Sequence, residues 1–311
     1  GHIYSLKEFN KFNSNKFANF KFSDIKNISE FSIIPQVLSN ISSQIINKMR
    51  LSKRFDYFNM RPNSELHATN DKKLMNLSSK QRPKNHFPIY KGESFNQWEP
   101  DRGLNSYYAW GNPKVIEKRL FEKRINSFER KGSVYDNFTR SYINKKATLD
   151  CNKYRIVFRD IARSTDARTI IASLIPPKVF LTNKAPYLIF YKDDHLQMSY
   201  ILAIMNSLVF DWWARRFVEI GVNFYLLNFF PIPKVNENNK LFRRITHLSA
   251  KLCCVDQRFK EWAKLFNVDV CHLKDSEKNE NICEIDAISA ALYNLSEEEL
   301  INIYETFHKQ W

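Results

Sequence analysis

Glycine is scarce, with six in 311 residues and none in a G-x-G pattern. Without such loops the chain has no phosphate cradle of the dinucleotide-binding or P-loop kind, because those cradles need backbone that no side chain obstructs. Cysteine is scarce too. Five, an odd number with no C-x-x-C pair, argue against a disulfide framework and a structural zinc site, and lead us to expect a reducing, cytoplasmic setting. Cys253, Cys254, Cys271, His272 and Cys283 match no usual metal-ligand spacing. No run approaches the ~20 apolar residues of a membrane span; the best, residues 200–214, is interrupted by Asn206, Ser207 and Asp211. H-E-x-x-H and G-x-S-x-G are absent, and seven scattered histidines supply no evident base; His67 reads as a surface residue. No secretory leader is legible. The opening Gly1-His2 reads as a remnant of tag removal, so a piece of a longer polypeptide is expected.

What the chain does have is positive charge, unevenly placed. The net charge is +15, and residues 1–175 hold 32 basic against 16 acidic side chains, whereas residues 236–311 hold 10 against 13. A basic half joined to a mildly acidic half fits a nucleic-acid surface backed by a packing or partner-binding module. Membrane-surface binding needs a basic amphipathic helix, and the nearest candidate, residues 114–130, carries both signs of charge and reads as a solvated helix.

Residues 154–177, YRIVFRDIARSTDARTIIASLIPP, concentrate this charge between two β-prone runs. They read as strand, polar loop over 162–169, and strand. Tyr154, Ile156 and Phe158 alternate with Arg155, Val157 and Arg159, a period of two that predicts one buried face and one face of guanidinium forks. Such forks suit phosphate oxygens and the acceptor edge of guanine. The competing reading is internal bracing, Arg159 with Asp160 and Asp166 with Arg168, which contributes little stability at a surface.

Elsewhere the pattern predicts a helix over 35–49, a polar linker over 61–86, and a strand at 87–90 running into Gly92. The aromatics Phe95, Trp98, Tyr107, Tyr108 and Trp110, interleaved with Lys91, Arg102 and Lys114, suit base stacking or a core. Two short strands flank 183–186. Asp194 is placed to cap one long helix with Leu196, Tyr200, Ile201, Ile204, Leu208 and Trp212 on its apolar stripe, and Arg215 and Arg216 near its end. Residues 223–233 read as a short strand and extended exit. Helices are predicted near 241–254, 256–266, 282–293 and 296–308, the last with a capping box of Ser296 and Glu299.

The ordered segments ELHATND (65–71), IYKGESFNQWEPDRG (89–103), the 154–177 run, ILAIMNSLVFDWWAR (201–215), NFYLLNFFPIP (223–233) and IDAISAALYNLSEEELINIYETF (285–307) carry a resemblance. From about residue 35 onward the chain resembles the C-terminal half of large adenine-specific DNA methyltransferases, including the fused type IIG restriction-modification enzymes. That half is the family's target recognition region. The resemblance implies an α+β fold: an arm and linker over 1–86, a β-rich target recognition domain packed with a long helix over 87–235, and a helical C-terminal subdomain over 236–311. Double-stranded DNA and an upstream methyltransferase domain of the same polypeptide are the implied partners. The family's (Asp/Asn)-Pro-Pro-(Tyr/Phe) motif is absent, since the single Pro-Pro, Pro176-Pro177, lies between Ile175 and Lys178. No carboxylate and lysine spacing for Mg²⁺-dependent cleavage is found either. No catalytic site and no cofactor are therefore expected in this chain, with S-adenosylmethionine and Mg²⁺ left to the longer parent.

For DNA contact the expected hairpin residues are Arg159, Asp160, Arg163, Ser164, Asp166 and Arg168, with Lys91, Gln97 and Arg102 as a second loop on the same face. The 159–166 run looks common to the family and so suits phosphate contact, which directs base reading toward residues 105–152, where Arg119, Arg124, Arg130 and Arg140 are candidates. A module of another class, which assembles with a methyltransferase, nuclease or phage-defence partner through an apolar face at Leu292, Leu295, Leu300 and Tyr304, is the alternative.

Overall fold

The computed structural model describes residues 40–77, 81–162 and 166–307. Helix α1 (Asn40–Arg50) precedes strands β1 (Lys53–Arg54), β2 (Met60–Asn63), β3 (Met75–Asn76), β4 (Phe87–Tyr90) and β5 (Ala109–Gly111). Helices α2 (Pro113–Phe128) and α3 (Arg140–Ile143) lead to the hairpin β6 (Arg155–Phe158) and β7 (Ala172–Ile175), then to β8 (Phe180–Leu181) and β9 (Tyr187–Phe190). Apart from β10 (Pro231–Ile232), the remainder is helical: α4 (His195–Asn206), α5 (Leu208–Ala214), α6 (Phe224–Phe229), α7 (Lys240–Cys253), α8 (Lys260–Phe266), α9 (Asp275–Leu292) and α10 (Glu297–Thr306). The α+β class is as expected.

Two four-stranded sheets form the middle of the molecule. The first runs β2-β9-β6-β7, all antiparallel, with Arg155 opposite Ile175 and Phe158 opposite Ala172 in the hairpin. The second runs β3-β5-β4-β8, and its β4/β8 pair is parallel. Strands β8 and β9, adjacent in sequence, therefore join different sheets. One face of the first sheet carries Ile156, Phe158, Ala172, Leu174 and Leu188 into a core shared with α1, α4, α5, α7 and the C-terminal helices. Its other face carries Val157, Ile171, Ile175, Tyr187 and Ile189 against Tyr90, Phe95, Tyr135 and Ile143. Helix α2 covers the second sheet with Ile116 and Leu120, two of the three buried positions of an i, i+4, i+8 stripe. Each large apolar side chain buried this way contributes about 1.5–3 kcal/mol.

Burial on both faces of the first sheet corrects the expected cationic face of β6. Residues 155–158 are all buried, and Arg155 is 2 % exposed. Its Nη1 donates to Glu65 Oε1 at 2.8 Å, its Nη2 donates to the Val179 carbonyl, and the guanidinium lies 5.0 Å from the Tyr187 ring centroid. The second oxygen of Glu65 accepts from the Leu181 N–H at 2.7 Å. One carboxylate thus holds β6 of the first sheet to β8 of the second. A buried pair satisfied on both sides is tolerated, and removing either partner strands the other charge without water.

Residues 61–86 are likewise more ordered than a linker. Met60–Asn63 pairs with β9, Met75–Asn76 with β5, and Leu66 bridges Thr182. The helix expected over 35–49 is present from Asn40 to Arg50, and its first five expected positions lie outside the described residues.

The long helix expected after Asp194 begins as predicted, with the Asp194 carboxylate accepting from the Gln197 N–H, but it breaks at Ser207. Ser207 is extended and caps the next helix through the Phe210 N–H. The Asp286 carboxylate accepts from the Leu208 N–H at 2.7 Å, and the Asn206 amide exchanges hydrogen bonds with the backbone of Ala172. Polar partners supplied from afar replace one helical turn's own bonds. Leu196 leaves the stripe and is 41 % exposed. Residues 224–229 form a helix rather than a strand, because the Asn223 side chain caps the Tyr225 N–H. Helix α9 starts seven residues before the expected 282. The Ser296 and Glu299 capping box at α10 is formed as predicted.

Glu65→Ala leaves Arg155 buried without its counter-ion. It should lower unfolding free energy by about 3–5 kcal/mol, read as a shifted midpoint in urea; a midpoint within error of the unsubstituted chain would contradict the sheet-joining role.

Candidate nucleic-acid interface

The loop after β4 is held by its own backbone. The Ser94 N–H donates to the Lys91 carbonyl, the Ser94 hydroxyl donates to the Ser106 carbonyl at 2.8 Å, and the Arg102 N–H donates to the Ser94 carbonyl at 2.9 Å. Gly92 lets this loop approach the 182–186 turn, because a Cβ there would lie 3.1 Å from the Lys184 carbonyl oxygen. Arg159 closes the contact. Its Nη2 donates to the Phe95 carbonyl at 2.8 Å, so the loop after β4 and the loop after β6 meet as expected for a common face. Burial, and then the nearby charge of Arg102, pull the Arg159 guanidinium below its ordinary value, with Glu93, Asp166 and Glu99 opposing.

The named side chains divide into two groups. Arg102 is half-exposed with Glu99 3.6 Å away, Lys91 pairs with Glu93 at 2.5 Å, and Asp160 pairs with Lys184 at 2.8 Å rather than with Arg159. Asp166 is exposed. These residues sit where the loops meet and face solvent in part. Gln97 is different: its Nε2 donates to the Asn206 carbonyl at 2.6 Å and terminates α4. Arg163 and Ser164 lie outside the described residues.

Arg168 belongs to the anchor of the second loop. Asp211, 1 % exposed, accepts from the Thr169 and Ile170 N–H groups at 2.9 and 2.6 Å and has Arg168 at 3.9 Å and Arg215 at 3.7 Å. Both guanidinium groups lie over the Phe307 ring, at 5.5 and 4.1 Å from its centroid. Arg215 also donates to the Asp166 and Ala167 carbonyls. Arg215 thus does more than sit near a helix end, and the sequence signal for Asp211 is a carboxylate standing inside the apolar run of residues 208–214. On its other side the loop is pinned by Gly221, where a Cβ would sit 2.8 Å from the Asp160 carbonyl oxygen.

Arg124 is a correction. It is 1 % exposed, and its guanidinium donates to the Ile143, Lys145 and Thr148 carbonyls, so it fastens α3 and its following turn to α2 and has no reach to a duplex. Arg119, on the same helix, is half-exposed and donates to Asp71 at 3.2 Å. Arg130 and Arg140 are exposed. The aromatics Phe95, Trp98 and Trp110 are core, at 5 % exposure or less, and Tyr107 stacks on Tyr90. His67 is exposed, and its Nδ1 accepts from the Thr69 and Asn70 N–H groups, which closes its own turn.

No family model matches this chain, and no curated protein does. Among solved structures it is similar to the type IIL restriction-modification enzyme MmeI in complex with DNA, with a TM-score of 0.41 and 13 % identity over 80 % of this chain. It is similar also to the type IIG restriction endonuclease BpuSI, with a TM-score of 0.41 and 12 % identity over 84 % of this chain. The chain spans about a third of either protein, 35 % and 34 % of their lengths.

Among the described residues no three His, Cys, Asp or Glu side chains are grouped to hold a metal ion, and no helix is long and apolar enough to cross a membrane. Pro176, of the single Pro-Pro, is buried in the turn between β7 and β8 rather than at an open pocket.

Burial pushes the Asp211 carboxyl up to about 6, while Arg168, the Ile170 N–H and Arg215 pull the other way. Since the folded value exceeds the unfolded one, the stability linked to this proton is complete below about pH 4 and lost as pH rises through about 6. The unfolding free energy of the unsubstituted chain minus that of Asp211→Asn should therefore fall by about 2 kcal/mol between pH 4 and pH 7. Denaturant titrations across that range check this; a difference independent of pH would contradict it.

Proposed function

We propose that this chain binds duplex DNA as the target recognition part of a restriction-modification enzyme of the adenine-specific methyltransferase kind. The observation that carries the reading is the contact of two loops, in which the Arg159 bond to the Phe95 carbonyl brings Arg159 near Arg102, in the half of the chain that holds the positive excess. Like charges gathered at a surface are stabilised when phosphates arrive and counter-ions leave. The order of sequence segments shared with the methyltransferases supports the same reading. Phosphate contacts from Arg102, Lys91, Lys184 and Arg163 would set register, and the exposed Arg119, Arg130 and Arg140 would be free to approach base edges. Methyl transfer from S-adenosylmethionine would then be the work of another domain of a longer polypeptide, with this module holding the duplex while the adenine is extruded.

Of the surface expected for the assembly reading, Leu292, Leu295 and Leu300 are half-buried against the main core, while Tyr304 is exposed beside Ile301 on α10.

Fluorescence anisotropy against random duplex DNA tests the proposal. Affinity should fall by about 10³-fold or more between roughly 50 and 200 mM salt if six or more phosphates are contacted, and Arg102→Ala with Arg163→Ala should weaken binding at low salt by tenfold or more, since each lost contact to a charged group is worth about 1.5–3 kcal/mol. Absence of binding at low salt would overturn the reading.

A further inference from the structure

A second basic surface lies at the ribbon of β1 and β10, where Lys53 pairs with Ile232 and Arg54 with Pro231. The 3₁₀ turn that follows β1 (Phe55–Phe58) buries Phe55 and Phe58 and leaves Tyr57 47 % exposed. Two ammonium groups converge on that ring: Lys53 Nζ lies 5.5 Å and Lys234 Nζ 5.0 Å from its centroid. Lys234 also donates to the Tyr57 hydroxyl at 2.6 Å, which pulls the phenol below its ordinary value. Beside them the Arg54 guanidinium lies 4.1 Å from the Phe229 centroid, and Arg61 donates to the Asp56 and Met60 carbonyls.

Charge balance is the telling point. The one carboxylate of residues 51–63, Asp56, is engaged by Arg54 at 2.6 Å. Among the described residues neither Lys53 nor Lys234 pairs with a carboxylate, although 14 such pairs form away from this ribbon. Lys234 meets the ring at its hydroxyl edge and Lys53 lies 5.5 Å from its centroid, so one exposed tyrosine holds both ammonium groups. Such an arrangement on an exposed ring adds little to packing and offers an anion two charges at once.

We propose that this ribbon end is a second phosphate-binding surface, which grips the DNA backbone through Lys53 and Lys234 set on Tyr57. The proposal rests on the duplex-binding reading above and extends the contact beyond the two loops. No base reading is assigned to it, since lysine presents a point charge rather than a planar fork.

The test is the salt dependence of duplex binding for the unsubstituted chain, Lys53→Gln with Lys234→Gln, and Tyr57→Phe. The double variant should reduce the slope of log affinity against log salt by about 1.8, one phosphate per lysine, and weaken binding at low salt by tenfold or more, with the same thermal midpoint. Tyr57→Phe keeps the ring and both charges and should keep the slope. A double variant with the slope and affinity of the unsubstituted chain would overturn this surface while leaving the loop site intact; no binding by the unsubstituted chain would overturn both.

Discussion

The pair of Glu65 and Arg155 is the constraint on which the rest of the structure depends. Each side chain is 3 % exposed, and their polar partners come from three separate stretches of chain: the segment after β2, strand β6, and the turn and strand around β8. Desolvating two charges is expensive, so the arrangement persists because nearly every donor and acceptor is matched. What it secures is the relation of one sheet to the other. The loop after β4 springs from the second sheet and the loop after β6 from the first, so the meeting of Arg102 with Arg159 depends on how those sheets are joined.

Asp211 plays the corresponding part on the helical side. By accepting the Thr169 and Ile170 N–H groups it fixes the end of the β6/β7 loop to α5, and through Arg168, Arg215 and Phe307 it reaches the C-terminal helices. The acidic C-terminal half therefore serves the basic half as a scaffold. Most arginines of the 155–168 run act inward in whole or part, which leaves the solvent-facing charge to Arg102, Lys91 and Lys184, and at the ribbon to Lys53 and Lys234.

How much of this could be read from the sequence follows the range of the interactions. The hairpin, the strand before Gly92, the Asp194 cap and the Ser296/Glu299 box depend on residues within a few positions of one another, and all are present. The break at Ser207 depends on Asp286, 78 residues away, and the burial of Arg155 on Glu65, 90 residues away, which no local pattern encodes. Arg124 was read as a DNA contact because a helical arginine in a basic stretch carries no local sign that three carbonyls wait for it. At residues 224–229 the β preference of aromatic side chains points to a strand, whereas the chain forms a helix whose Tyr225 N–H donates to the Asn223 side chain.

The central claim is that DNA lies on the two loops that meet at Arg159 and not on the C-terminal helices. Amide hydrogen exchange of the chain, with and without a saturating duplex, tests it most directly. Slower exchange in residues 91–106, at 159–162 and at 166–169, with 275–306 unchanged, is the predicted result. Protection confined to 275–306, or no protection in a mixture shown to contain bound DNA, would contradict it.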